Sequence, residues 1–181
     1  MVQSAATLIR ERGIHGTGLR EVVTHSGGPR GSLGRFFPGG KTQLVAEAID
    51  VAVAELFGDF ERRLSEAETF PEAIGVIVTP WRRLLVDHDF ALGCPLAATI
   101  CDAADNESLR THVSDLLAGW TAPVADAYTR FGSPQAEAEA TVLVAALEGA
   151  LILSRAQRSI EPLDAVERFF AARAPTGEIR R

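Results

Sequence analysis

The sequence predicts an all-α protein, a small head of three short helices followed by a larger helical body. Three observations carry that reading. Apolar residues recur three and four apart over long windows, and the period-two alternation of half-buried strands is absent. Glycine punctuates the chain before Lys41, whereas the apolar runs beyond it are mostly longer. Over 181 residues, 46% are hydrophobic and 23% charged, which supplies a core and argues against disorder.

In the head, Ala5, Ala6 and Ile9 give the first helix an inner face, and Gly13 stands where a helix ends. Thr17 or Gly18 opens a second helix with Leu19, Val22 and Val23 inward. Gly27 and Gly28 make a turn, and Pro29 starts a third helix anchored in the core by Leu33, Phe36 and Phe37. Beyond it, Leu44, Ala48, Val51, Ala52, Leu56, Phe60 and Leu64 mark one long helix, Lys41 to Ala67. Ile74, Ile77, Val78, Trp81, Leu84 and Leu85 mark the next, with Pro80 as a kink or break. Another carries Leu109, Val113, Leu116, Leu117, Trp120 and Val124, again with an internal proline, Pro123. Ser133 and Pro134 predict a capped start for a helix running to Gln157. A last helix opens at Pro162 and fades near Arg173, leaving a frayed tail.

Charge is uneven. Residues 1–46 hold six basic groups, Arg10, Arg12, Arg20, Arg30, Arg35 and Lys41, against Glu11 and Glu21. The net −6 thus divides into +4 there and −10 beyond, the asymmetry expected of a nucleic-acid-binding end. Residues 1–12 lack the unbroken apolar run of a secretory signal. The longest near-apolar stretch, Ala140 to Leu153, carries Glu148 and falls short of the roughly 20 residues a membrane span needs. These features predict a soluble, cytoplasmic protein without membrane contact.

Cys94 and Cys101 offer no disulfide framework, because on one helix their Cα atoms lie about 10 Å apart. They read as buried, inert thiols, with nothing strongly basic nearby to activate them. His15, His25, His88 and His112 are scattered without a metal-ligating pair. Asp87, His88 and Asp89 are adjacent, so on a helix they point apart. No Walker loop or glycine-flanked nucleophile is present. The expectation is no enzyme, no metal and no cofactor.

The residues themselves carry a resemblance. The stretch Gly13 … Thr17 … Leu19-Arg20-Glu21-Val22-Val23 … Ser26-Gly27-Gly28-Pro29-Arg30-Gly31-Ser32-Leu33 … Phe37-Pro38-Gly39-Gly40-Lys41-Thr42-Gln43-Leu44 closely resembles the helix-turn-helix head of TetR-family transcriptional regulators. The extra residue before Lys41, with Gly93-Cys94-Pro95-Leu96 in mid-body, is similar to the LmrA/YxaF-like branch, which includes repressors of lincomycin- and multidrug-resistance operons.

The resemblance implies a ligand-responsive repressor whose homodimer binds a palindromic double-stranded DNA operator and is released by a small-molecule effector. Residues 1–44 would bind DNA, 45–175 sense and dimerise, and 176–181 form the tail. Arg30, Gly31, Ser32 and Arg35 fall on the recognition helix, Thr17 opens helix 2 where the family commonly touches phosphate, and Lys41 opens the next helix, where ammonium and helix end together hold phosphate. Related heads usually place a tyrosine at Gly34 and a polar aromatic near Phe36, both phosphate contacts. This departure leaves open an alternative, a ligand-binding helical dimer whose degenerate head no longer reads DNA.

For the effector, the body offers Trp81, Leu85, Cys94, Leu96, Ile100, Trp120 and Leu143, an apolar and aromatic set. Glu148 is either a pocket carboxylate or a residue on a solvated or interface edge. The small residues of the Ser133–Gln157 helix allow close helix approach, so Ala145, Gly149, Ile152 and, on the last helix, Phe169 are the expected dimer contacts.

Overall fold

The computed structural model describes residues 1–29, 31, 33–103 and 105–175. Among these residues there are ten helices and no strand. The chain divides into two compact units, Met1–Leu56 with Ala91–Leu116, and Phe57–Phe90 with Leu117–Arg181.

The first unit opens with α1 (Val2–Arg12), α2 (Leu19–Ser26) and α3 (Leu33–Phe36). Ala5, Leu8 and Ile9 from α1 and Val22 and Val23 from α2 are buried together with Phe37. Gly13 ends α1 at φ 76° and ψ 177°, a conformation essentially reserved for glycine. Gly27 ends α2 in the left-handed region, and its neighbour's amide reaches back to the Val23 carbonyl at 3.2 Å. Phe36 corrects an expectation: it is 57% exposed, while Phe37 is buried. The Phe37 amide bonds to the Leu33 carbonyl at 2.7 Å, so the four-residue spacing puts 33 and 37 on the inner face and turns 36 outward.

The expected single helix from Lys41 to Ala67 is two, α4 (Gly40–Phe57) and α5 (Phe60–Glu66). Gly58, unfavourable inside a helix by about 1 kcal/mol, and Asp59, which stands at the N-cap of α5, supply the break. The first unit is completed by α7 (Pro95–Asp102) and the start of α8 (Glu107–Arg130).

The second unit contains α5, α6 (Phe70–Asp87), the rest of α8, α9 (Ala136–Gln157) and α10 (Glu161–Ala171). Thr69 and Glu72 form a reciprocal capping box at the start of α6. Pro80 and Pro123 lie inside α6 and α8 without ending either helix. The start of α9 differs from expectation. The Ser133 hydroxyl accepts from the Gln135 amide at 3.0 Å and donates to the Glu139 carboxylate, a tight turn that delays the helix to Ala136.

Ile74, Ile77, Trp81, Leu85, Leu143, Leu147 and Leu151 are almost completely buried, each contributing about 1.5–3 kcal/mol. Arg82 on α6 joins Asp164 and Glu167 on α10, the latter at 2.6 Å. Arg130 at the end of α8 donates to the Leu64 and Ser65 carbonyls at 2.8 and 2.6 Å, satisfying the open end of α5. No helix among the described residues is long and apolar enough to cross a membrane.

Candidate nucleic-acid interface and body sites

Two short helices joined by a glycine turn set the geometry in which the second enters a major groove. The structure shows which basic groups of the head remain available there. Arg10 is buried, 3.6 Å from Glu55, and burial holds its guanidinium below the usual arginine range against the opposing influence of Glu55 and Cys94. Arg12 is paired with Glu21 at 2.5 Å, which raises its affinity for the proton. Arg20 and Arg35 are exposed and make no ion pair among the described residues. With Val23, Thr24 and Leu33, Arg20 lines a hollow of about 460 Å³ on the head. Sequence reasoning did not single out Arg20; its place one turn before the exposed Thr24, on the outer face of α2, was the available signal.

Arg30 and Ser32 lie outside the described residues. Gly31 is exposed, and a Cβ at Gly34 would meet nothing within 4 Å. Arg35 carries its guanidinium 5.9 Å from the Phe36 ring centroid, so the outer face of α3 is cationic and aromatic. Thr17 is buried, with its hydroxyl donating to the Gly13 carbonyl at 2.8 Å. Its side chain fixes the loop before α2, and Gly18 is what stands exposed at that helix start. Lys41 donates from Nζ to the Ile14 carbonyl at 2.6 Å, tying the start of α4 to the same loop. An ammonium has three donors, so two remain.

The far side of that loop is held by Asp102, at the end of α7. Its carboxylate accepts from the His15 amide at 2.9 Å and faces His15 Nδ1 at 3.3 Å. The backbone hydrogen bond from His15 keeps the Asp102 carboxyl below the usual carboxylate range.

The expected effector residues fall in both units. Cys94, Leu96 and Ile100 belong to the first, where Cys94 is buried at the N-cap of α7 and accepts from the Ala97 amide at 3.5 Å. The expectation of no strong base near this thiol is corrected, because the buried Arg10 guanidinium interacts with it and the Gly93 amide bonds the Arg10 carbonyl at 3.1 Å. Cys101 is exposed, where a buried thiol was expected. In the second unit Leu85 and Leu143 are fully buried, and the Trp81 and Trp120 rings meet at 5.5 Å, each also packed against Phe57. Glu148 is half-buried on α9. A groove of about 440 Å³ lies on this unit, lined by Leu64, Gly119, Ala122 and Pro123 with Glu61 and Asp126; none of the expected effector residues lines it.

The expected dimer residues share one character. Ala145 and Gly149 are exposed on α9, as are Ile152 at 66% and, on α10, Phe169 at 50%. Val142 and Leu153 extend the same exposed apolar face. Among the described residues no group of His, Cys, Asp and Glu is placed to hold a metal.

Comparison with known proteins fits this arrangement. Residues 2–48 match the model of bacterial regulatory proteins of the tetR family, and residues 71–169 match the C-terminal domain of LmrA/YxaF-like transcriptional regulators. An uncharacterized HTH-type transcriptional regulator of Mycobacterium tuberculosis is 38% identical over 177 residues, covering 93% of this chain and 89% of that protein. The HTH-type transcriptional regulator LmrA of Bacillus subtilis is 29% identical, with 90% and 88% covered. The crystal structure of a TetR-family transcriptional regulator from Agrobacterium tumefaciens superposes with a TM-score of 0.85 at 18% identity, over 97% of this chain and 95% of that one. The chain belongs to the TetR family of transcriptional regulators, with a DNA-binding helix-turn-helix head and an LmrA/YxaF-like C-terminal domain.

Proposed function

We propose that the protein is a cytoplasmic repressor whose homodimer binds a palindromic operator and is released by a small-molecule effector. In this reading residues 1–44 bind DNA and residues 45–175 sense the effector and dimerise. Thr17 orders the loop before α2, Arg30, Gly31, Ser32 and Arg35 meet the major groove, and Lys41 holds a phosphate. The observation that carries the reading is the exposed apolar face of α9 and α10, with Ile152 at 66% and Phe169 at 50% exposure. A second copy laid on that face buries it by two-fold symmetry and presents two heads to two half-sites. The effector acts by linkage: it weakens DNA binding only through its preference for a conformation that binds DNA poorly.

Sedimentation combined with gel shift on the DNA upstream of the protein's own gene tests this. A dimer that shifts that DNA supports the reading, and a monomer, or a dimer that shifts no DNA, overturns it. Binding should fall steeply with salt, and Lys41→Ala should flatten the log-log slope by about one unit per subunit on every DNA sequence alike.

A further inference from the structure

Arg10 on α1 and Cys94 at the start of α7 are each 5% exposed. The Gly93 amide donates to the Arg10 carbonyl at 3.1 Å, which brings the two residues to one joint of the first unit. Burial works against the Arg10 charge, while Glu55, 3.6 Å away, and Cys94 both work in its favour. That influence is mutual, so a charged Arg10 favours the thiolate form of Cys94. The Ala97 amide, 3.5 Å from Cys94 Sγ at the open end of α7, acts in the same direction.

Arg10 also keeps a donor idle. Its Nε is buried and has no hydrogen-bond partner among the described residues. A buried donor without an acceptor is destabilising, and an oxygen added beside it would remove that cost. The joint thus combines a nucleophilic sulfur with a fixed N–H donor, and its burial admits a reagent of about water's size in preference to a bulky one.

We propose that Cys94 is a modification site for hydrogen peroxide, and that Arg10 Nε holds the oxygen which the reaction leaves on the sulfur. In the step an S–O bond forms and the peroxide O–O bond breaks. The departing hydroxide takes the thiol proton and leaves as water, while the sulfur gives up two electrons to the peroxide oxygens. The product is a sulfenic acid, the reversible first rung of thiol oxidation. Cys101 does not convert it to a disulfide, since seven positions along α7 separate the two by about 10 Å. The modification also reaches the DNA-binding head, because α1 is its first helix and packs against α7. An extra atom in a packed interior forces its neighbours apart, so α1 loosens.

The test treats the whole chain with hydrogen peroxide, stops the reaction with catalase and unfolds the protein in dimedone, which traps sulfenic acids. Mass spectrometry of the peptides should show Cys94 labelled about tenfold faster than the more exposed Cys101. The two thiols are compared inside one unsubstituted chain, so this measurement needs no variant to fold. Arg10→Lys keeps the charge but removes the Nε donor, and it should shorten the life of the label at Cys94 and leave Cys101 unchanged. Amide hydrogen exchange in α1 should quicken about tenfold in the oxidised protein and not in oxidised Cys94→Ser. Faster labelling of Cys101, or no label at Cys94, overturns the site. A label equally long-lived in Arg10→Lys overturns the role of Arg10. Unchanged exchange in α1 overturns the route to the head.

Discussion

In the first unit, loops are fixed by side chains that reach backbone groups distant in sequence. Lys41 holds the Ile14 carbonyl, Asp102 holds the His15 amide across 87 positions, and Asn106 donates to the Thr42 hydroxyl. In the second unit, position is set by apolar helix faces converging on α6, with polar groups used at helix ends: the Thr69–Glu72 box, Arg130 on α5, and Arg82 between α6 and α10. The difference shows what each unit is built to resist. A loop held by two or three directional bonds fails at one of them, whereas a face of many buried methyl groups degrades gradually. The exposed apolar face of α9 and α10 belongs to the second style.

The largest expected effect comes from charging that face. Gly149→Glu adds a side chain where nothing lies within 4 Å, so the single chain should fold normally. In the proposed dimer two such carboxylates meet in a desolvated seam, where an unpaired charge costs about 3–5 kcal/mol. The dissociation constant of the dimer should rise at least about 100-fold by sedimentation, with the circular dichroism of the monomer unchanged. An unchanged dimer would place the interface elsewhere.

Next comes a break in the polar style. Gly13→Ala forces a side chain into a backbone conformation worth about 1–3 kcal/mol of strain. Its Cβ would also lie 2.4 Å from the Asp102 carboxylate, pushing it off the His15 amide. The stability of the first unit should fall by about 2–4 kcal/mol in urea titration, and operator affinity should fall with it. A loss under about 0.5 kcal/mol would mean that the loop has another hold.

Gly34→Tyr sharpens the comparison in the other direction. A Cβ there meets nothing within 4 Å, so the substitution begins in open space. It removes a helix glycine, worth about 0.5–1 kcal/mol, and offers a hydroxyl to phosphate. Affinity for operator and scrambled duplex alike should improve about tenfold. Weaker binding by a folded variant would show that close backbone approach to DNA requires the glycine.

The smallest effect is a pH dependence. The folded carboxyl of Asp102 is more acidic than its unfolded value near 3.9, so its contribution is fully present above that value and is lost as pH falls through the lower folded one. With the side chain about a quarter exposed at 26%, solvent screens that contribution and keeps it small. Asp102→Asn should therefore destabilise at pH 6, and the gap to the unsubstituted protein should close below about pH 4. A gap that widens in acid would assign the effect to lost packing.

How much was legible follows the same division. Helix ends marked by Gly13 and Gly27 were readable because each answers a local backbone demand. The apolar cores of α6 and α9 were readable from spacing. The break at Gly58 was hidden by an apolar period that runs through it, and the outward turn of Phe36 by its adjacency to Phe37. In the site, Ile152 and Phe169, expected at a dimer seam, are exposed on the single chain. The neutralisation of Arg12 by Glu21 and the burial of Arg10 were not readable, because counting charges cannot show which are already paired. The electrostatic influence of Cys94 on Arg10 joins residues 84 apart, and no local pattern encodes it.

The confinement of both tryptophans to one cluster has an optical consequence. With one tyrosine elsewhere in the chain, near-ultraviolet excitation interrogates the second unit almost alone. Far-ultraviolet dichroism, by contrast, averages over the helices of both units. Thermal melts followed by the two signals will superpose if the units unfold together and will separate if the first unit melts by itself. Emission then serves as a built-in gauge of cooperativity across the molecule, without any added label.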